Sequence, residues 1–82
     1  MPVLVRRAGM RKMDIDVLRA AQERSGSTAA EIIRPLLVQY SDPQMRRAIL
    51  SLAGEGYLKL DRAKAPHTVF VHITKRGREA IA

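Results

Sequence analysis

The chain has 82 residues, 46% of them hydrophobic and 28% charged, enough for one domain with a modest core and too few for two. It has no cysteine, which excludes disulfides and thiolate zinc sites. No apolar run approaches the ~20 residues of a membrane span, and the N-terminus lacks the apolar core of a signal peptide, so a cytoplasmic location is expected.

The formal net charge is +7 and is unevenly spread. Residues 1–12 hold four bases and no acid, residues 13–40 hold three bases against four acids, and residues 41–82 hold eight bases against four acids. Positive charge gathered at one end and in the C-terminal half suits a polyanion. Nucleic acid fits better than a membrane surface, because no segment joins a lysine-rich face to a continuous bulky apolar one.

In chain order, MPVLVRRAGMRK (1–12) has no helical or strand periodicity and is expected to form a flexible basic arm, with the domain proper over 13–82. Arg6, Arg7, Arg11 and Lys12 could follow phosphates or enter a minor groove, and Val3, Leu4 and Val5 could add a strand to a partner. A first helix is predicted over 14–24. Ile15, Leu18 and Ala21 share a face there, acids sit at the start and Arg24 at the end, and Ser25 and Gly26 stop it.

Thr28 and Glu31 form a capping-box pattern that opens a second helix through Ile32, Ile33 and Leu36. Pro35 lacks the amide hydrogen that a helix interior needs, so this helix should kink or end within 34–37 and leave 38–40 as a turn.

Ser41 and Gln44 repeat the capping pattern, and Pro43 fits because first-turn amides have no partner inside a helix. A third helix is predicted over 42–53, with Met45, Ala48, Ile49, Leu52 and Ala53 on one apolar stripe and Gly54 and Gly56 as the stop. Arg46, Arg47 and Leu50 then point away from the stripe, with Gln44 and Ser51 on its flank. An arginine fork matches guanine or phosphate, and a glutamine amide matches adenine, so these side chains are candidates for major-groove contact. Two arginines on a solvated helix face are also ordinary protein surface.

Beyond Gly56, segments 57–60 and 68–73 are β-prone, with Val69, Val71 and Ile73 on one face and Phe70 and His72 on the other. The sequence DRAKAPH between them reads as a hairpin tip carrying Arg62, Lys64 and His67, either a solvated loop or a phosphate grip. Thr74 caps a last short turn.

Helix, helix, turn, presented helix and hairpin together resemble the winged helix-turn-helix family of bacterial and phage transcription regulators. The likeness is carried by 41–58, with its leading serine, Arg46-Arg47-Ala48, Leu52 and Gly56-Tyr57-Leu58, and by ITKRGREA over 73–80, which is similar to the threonine-to-glycine segment of the MarR-like and PadR-like branches. This resemblance implies an α+β fold, a three-helix bundle with a C-terminal β-hairpin wing. It further implies that 42–53 is the recognition helix, that Thr28 and Ser41 lie near the phosphate backbone, and that 62–67 form the wing tip. Two features depart from the pattern. The turn before the third helix is about two residues longer than usual and carries Pro35, and the sequence ends where those branches have dimerisation helices.

The function expected is sequence-specific binding of double-stranded DNA by a small transcriptional regulator, compatible with a homodimer on a palindromic site. Alternatives are a winged domain that docks protein through Leu50, Tyr57 and Val3 to Val5, or an RNA binder. The latter has few stacking platforms, with one phenylalanine and two tyrosines. No enzyme activity, cofactor, metal or small-molecule ligand is expected: His67 and His72 lack a nucleophile or carboxylate partner in the sequence pattern.

Overall fold

Arg11 lies in extended backbone and turns the chain into α1, Lys12–Glu23. The computed structural model describes residues 10–62 and 68–82. The helix starts two residues before the expected boundary because the Asp14 carboxylate accepts the Arg11 backbone N–H at 3.1 Å, satisfying a first-turn donor without a serine or threonine cap. Arg11 and Lys12, assigned to the arm from sequence, therefore belong to a helix start. Val3 to Val5, Arg6, Arg7, Lys64 and His67 lie outside the described residues.

After Ser25 and Gly26 comes an element that periodicity did not reveal, the two-residue strand β1, Ser27–Thr28. Thr28 closes this strand and also caps α2, Ala29–Ile33, accepting the Glu31 N–H at 3.2 Å. Pro35 does interrupt the helix, but the α-helical part stops at Ile33, one residue before the expected 34–37. Arg34–Leu36 tightens into one 3-10 turn, in which the proline occupies a position that needs no donor. The chain then runs through Leu37 and Val38, 48% and 87% exposed, to Tyr40. Ser41 opens α3, Asp42–Gly54.

Strands β2, Leu58–Asp61, and β3, Phe70–Ile73, pair antiparallel with Leu58 opposite Ile73 and Leu60 opposite Val71. Strand β1 adds to the other side of β3, Ser27 opposite Val71, so the sheet order is β1-β3-β2. The central strand alternates as its sequence requires: Val71 and Ile73 are buried while Phe70 and His72 are half-buried. A short helix α4, Lys75–Ala80, closes the described chain.

The core is formed by Val17, Leu18 and Ala21 of α1, Ala29, Ile32 and Ile33 of α2, Met45, Ile49 and Leu52 of α3, and Leu58, Val71 and Ile73 of the sheet. Leu18, Ile32 and Met45 are fully buried, so truncating any of them to alanine costs about 2–5 kcal/mol. Helix α1 packs on both α3 and β3, and thus holds the third helix against the hairpin.

Each end of α3 is tied down. At the C-terminal end Gly56 adopts φ +88, a conformation only glycine takes without strain, and sends the chain back into β2. The Thr74 hydroxyl donates to the Gly56 and Tyr57 carbonyls (2.7 and 3.0 Å) and accepts the Gly77 N–H at 3.0 Å. The backbone of Gly77 consequently lies against Tyr57, which gives the threonine-to-glycine segment a physical meaning. Arg76 covers the Tyr57 ring, its guanidinium carbon 4.7 Å from the centroid.

At the N-terminal end the Tyr40 hydroxyl donates to Asp16 at 2.6 Å, and Lys12 Nζ donates to the same carboxylate at 3.2 Å. This latch bridges the long turn back to α1. The Tyr40 hydrogen bond, followed by Lys12, holds the Asp16 carboxyl below the usual carboxylate range, whereas the same contacts raise Tyr40 and Lys12.

Two predictions follow from these contacts. A Cβ at Gly77 would collide with the Tyr57 carbonyl oxygen and stand 2.8 Å from Ile73 Cγ1, while one at Gly54 meets nothing within 4 Å. Gly77→Ala should lower unfolding free energy by about 1–3 kcal/mol, and Gly54→Ala should change it by less than about 1 kcal/mol, both read by urea denaturation. A lowered carboxyl pKa contributes stability above the unfolded value and loses it as pH falls through the folded one. Asp16→Asn should therefore be less stable than the wild type near pH 7 and show a shallower fall in melting temperature below the usual carboxylate range.

Candidate nucleic-acid interface

Burial of Met45, Ala48, Ile49 and Leu52 fixes the rotation of α3, and at about 100° per residue the remaining positions must face outward. Gln44, Arg46, Arg47, Leu50 and Ser51 are all exposed. Leu50, at 56% exposure, is the one large apolar side chain on that face.

The two arginines occupy different surroundings. Arg46 Nε donates to Asp42 Oδ1 at 2.6 Å, one turn earlier, and both side chains remain about half exposed (50% and 44%). Arg46 and Leu50 border a cleft of about 170 Å³ between α3 and the hairpin, with Leu60, Arg62 and Val69 along its other wall. A neighbouring recess brings Arg46 beside Thr28 and Thr68. Arg47 makes no ion pair with the described residues. It borders a more polar cleft of about 310 Å³ on the opposite flank, together with Gln44, Ser51, Arg11 and Asp14, the last two 4.0 Å apart as an ion pair.

The residues singled out in the sequence thus fall into two groups astride α3. Arg46, Thr28 and Arg62 lie toward the wing, and Gln44, Arg47, Ser51 and Arg11 lie toward the start of α1. Lys12 lines neither cleft and is engaged by Asp16. Sequence reasoning missed Asp42 as a partner of Arg46, although acid-to-arginine spacing of four residues is a readable signal. It also missed Thr68 as a neighbour of Arg46, which no local pattern discloses.

Capping limits what three of these residues can offer. Gln44 Oε1 accepts both the Ser41 N–H (3.1 Å) and the Ser41 hydroxyl (3.0 Å), and Ser41 Oγ accepts the Gln44 N–H (3.3 Å). A bidentate pairing of Gln44 with adenine needs that oxygen, so it would require the cap to open, whereas the Nε2 donor remains usable. Thr28 is likewise committed: its N–H and hydroxyl donate to Glu31 Oε1 at 3.0 and 3.2 Å. These bonds, the backbone one first, hold the Glu31 carboxyl below its usual range, so an anion approaching Thr28 meets a neighbouring negative charge.

This arrangement defines a winged helix-turn-helix: α2 and α3 form the paired helices, β2 and β3 the wing, and β1 a third strand beside it. Solved structures share the fold. BpsR of Bordetella bronchiseptica, described for regulation of its DNA binding by 6-hydroxynicotinic acid, superposes with a TM-score of 0.76 at 17% identity over 85% of this chain and 52% of its own. The transcriptional regulator Tm0710 of Thermotoga maritima gives 0.72 at 20% identity over 95% of this chain and 54% of its own. This chain therefore spans about half the length of each. No family model and no curated protein matches the sequence.

Capping predicts a separation of roles along α3. Ser41→Ala should cost about 1 kcal/mol of stability and speed exchange of the first-turn amides of α3, while substitutions at Arg47, which is exposed and makes no ion pair with the described residues, should leave both unchanged.

Proposed function

We propose that the chain binds double-stranded DNA as a transcriptional regulator, with α3 in the major groove and the hairpin and the start of α1 reaching the flanking backbone. The supporting observation is the placement of exposed Arg46 and Arg47 on the outer face of α3, with Arg62 across one cleft and Arg11 across the other. Such a face suits one groove and the two phosphate walls beside it. The descriptions of the two structural neighbours, one concerning regulated DNA binding and the other a transcriptional regulator, agree with this reading.

Contributions differ by residue type. Arg47, with no ion pair among the described residues, supplies positive charge together with Arg62 and with Arg11, whose Nε stands 4.0 Å from Asp14; this charge displaces counterions from phosphate, and that part of the affinity is salt-dependent. Gln44 retains its Nε2 amide and Ser51 its hydroxyl as donor groups for the groove. Arg6, Arg7, Lys64 and His67, outside the described residues, are proposed to contact the same duplex, with a homodimer on a palindromic site as the assembly. Of the residues expected at a protein contact, Leu50 is exposed, Tyr57 is half-buried with Arg76 over its ring, and Val3 to Val5 lie outside the described residues, so protein docking is the second reading.

Titration of a mixed-sequence duplex at ~50 and ~200 mM salt tests this reading. Neutralising roughly four phosphates makes affinity fall about a hundredfold between the two salts; absence of duplex binding at the lower salt, or preference for single strands, overturns it. Arg47→Ala should weaken binding on all sequences alike and reduce the salt slope by about one. Relaxed choice at one base pair with an unchanged slope would instead place Arg47 on a base edge.

A further inference from the structure

Resting on the DNA-binding reading above, we infer that Arg46 is the guanine-reading residue of α3 and that Asp42 is its positioning residue. Asp42, Arg46 and Leu50 occur at intervals of four, so they form one ridge along the exposed side of the helix. The carboxylate of Asp42 holds Arg46 through Nε at 2.6 Å, and neither Nη group has a partner among the described residues. What remains is the fork end of the guanidinium, whose paired donors match guanine O6 and N7.

The pair has little to do for the fold. An exposed acid–arginine pair one helical turn apart contributes little to stability, and α3 is already held by its apolar stripe and its cap. Its consequences lie in binding. A carboxylate beside the guanidinium repels phosphate and cancels the local charge, so Arg46 is a poor phosphate clamp. A neutral base edge carries no such penalty, and the intramolecular hydrogen bond limits the rotamers that the long side chain must give up when it meets that edge. Arg47 makes no ion pair with the described residues; the carboxylate in its cleft, Asp14, is held by the Arg11 backbone N–H, so the Arg47 guanidinium is left for the phosphate backbone. Two adjacent arginines thereby divide the work, one reading sequence and one supplying salt-dependent affinity.

Selection from a random duplex pool, run in parallel with the unsubstituted 82-residue chain, Asp42→Asn, Asp42→Glu and Arg46→Lys, tests the inference. The wild type should enrich guanine at one position within each half-site. Asp42→Asn should lose roughly tenfold of that preference at that position alone, while its affinity for mixed-sequence duplex rises or holds, because a negative charge has left the interface. Asp42→Glu, which keeps a carboxylate, should retain more of the preference, and Arg46→Lys, which lacks the fork, should lose it at the same position. Melting curves check that each variant is folded. A wild type that binds no duplex refutes the DNA-binding reading itself. A wild type with no guanine preference, or an Asp42→Asn variant that keeps it or weakens equally on every sequence, refutes this inference and leaves that reading standing.

Discussion

A helix with one apolar stripe can present only its other side, and the packing of α3 turns that constraint into a fixed outward face. Met45, Ala48, Ile49 and Leu52 are buried against α1, α2 and the sheet, so the helix cannot rotate without exposing core residues or burying an arginine. Rotation by a single residue would bring Arg46 toward the position of Met45. The chemistry available on the outside follows from the packing on the inside, and the cost of burying a guanidinium keeps the two sides distinct.

Orientation along the helix axis has a different origin. The long turn between α2 and α3 leaves Leu37 and Val38 in solvent, and such a turn would leave the helix angle loose if apolar packing alone held it. Tyr40 counters this by reaching the Asp16 carboxylate on α1, and at the other end Thr74 binds the carbonyls of Gly56 and Tyr57. The wing is thereby fastened to the C-terminal end of α3 through the same residues that stop the helix. A fixed helix flanked by a hairpin on one side and the start of α1 on the other forms a ridge with an arginine on each side, Arg62 and Arg11.

Much of this was readable from local pattern. Both capping boxes, the stop at Pro35, the alternation of Val71 and Ile73, and the outward set on α3 all express short-range rules of periodicity and backbone valence. Strand β1 was not readable, because two residues carry no period and Thr28 already accounts for itself as a helix cap; only pairing with distant Val71 and Phe70 makes it a strand. The start of α1 was set too late because an aspartate at the third helical position replaces the usual hydroxyl cap. Among the site residues, exposure was legible but partnership was not. The Ser41 and Gln44 capping pattern and a free Gln44 amide were both expected, yet one oxygen cannot serve both, and the division between Arg46 and Arg47 emerges only once Asp42 is seen holding one of them.

The central claim is that DNA meets the outer face of α3 while the core behind it stays fixed. Amide chemical-shift mapping of the 15N-labelled chain with duplex DNA tests it most directly. The account predicts shifts concentrated at Gln44, Arg46, Arg47, Leu50, Ser51, Arg11 and Arg62, with Leu18, Ile32 and Val71 unmoved. Shifts centred instead on Leu37 and Val38, with the outer face of α3 silent, would contradict it.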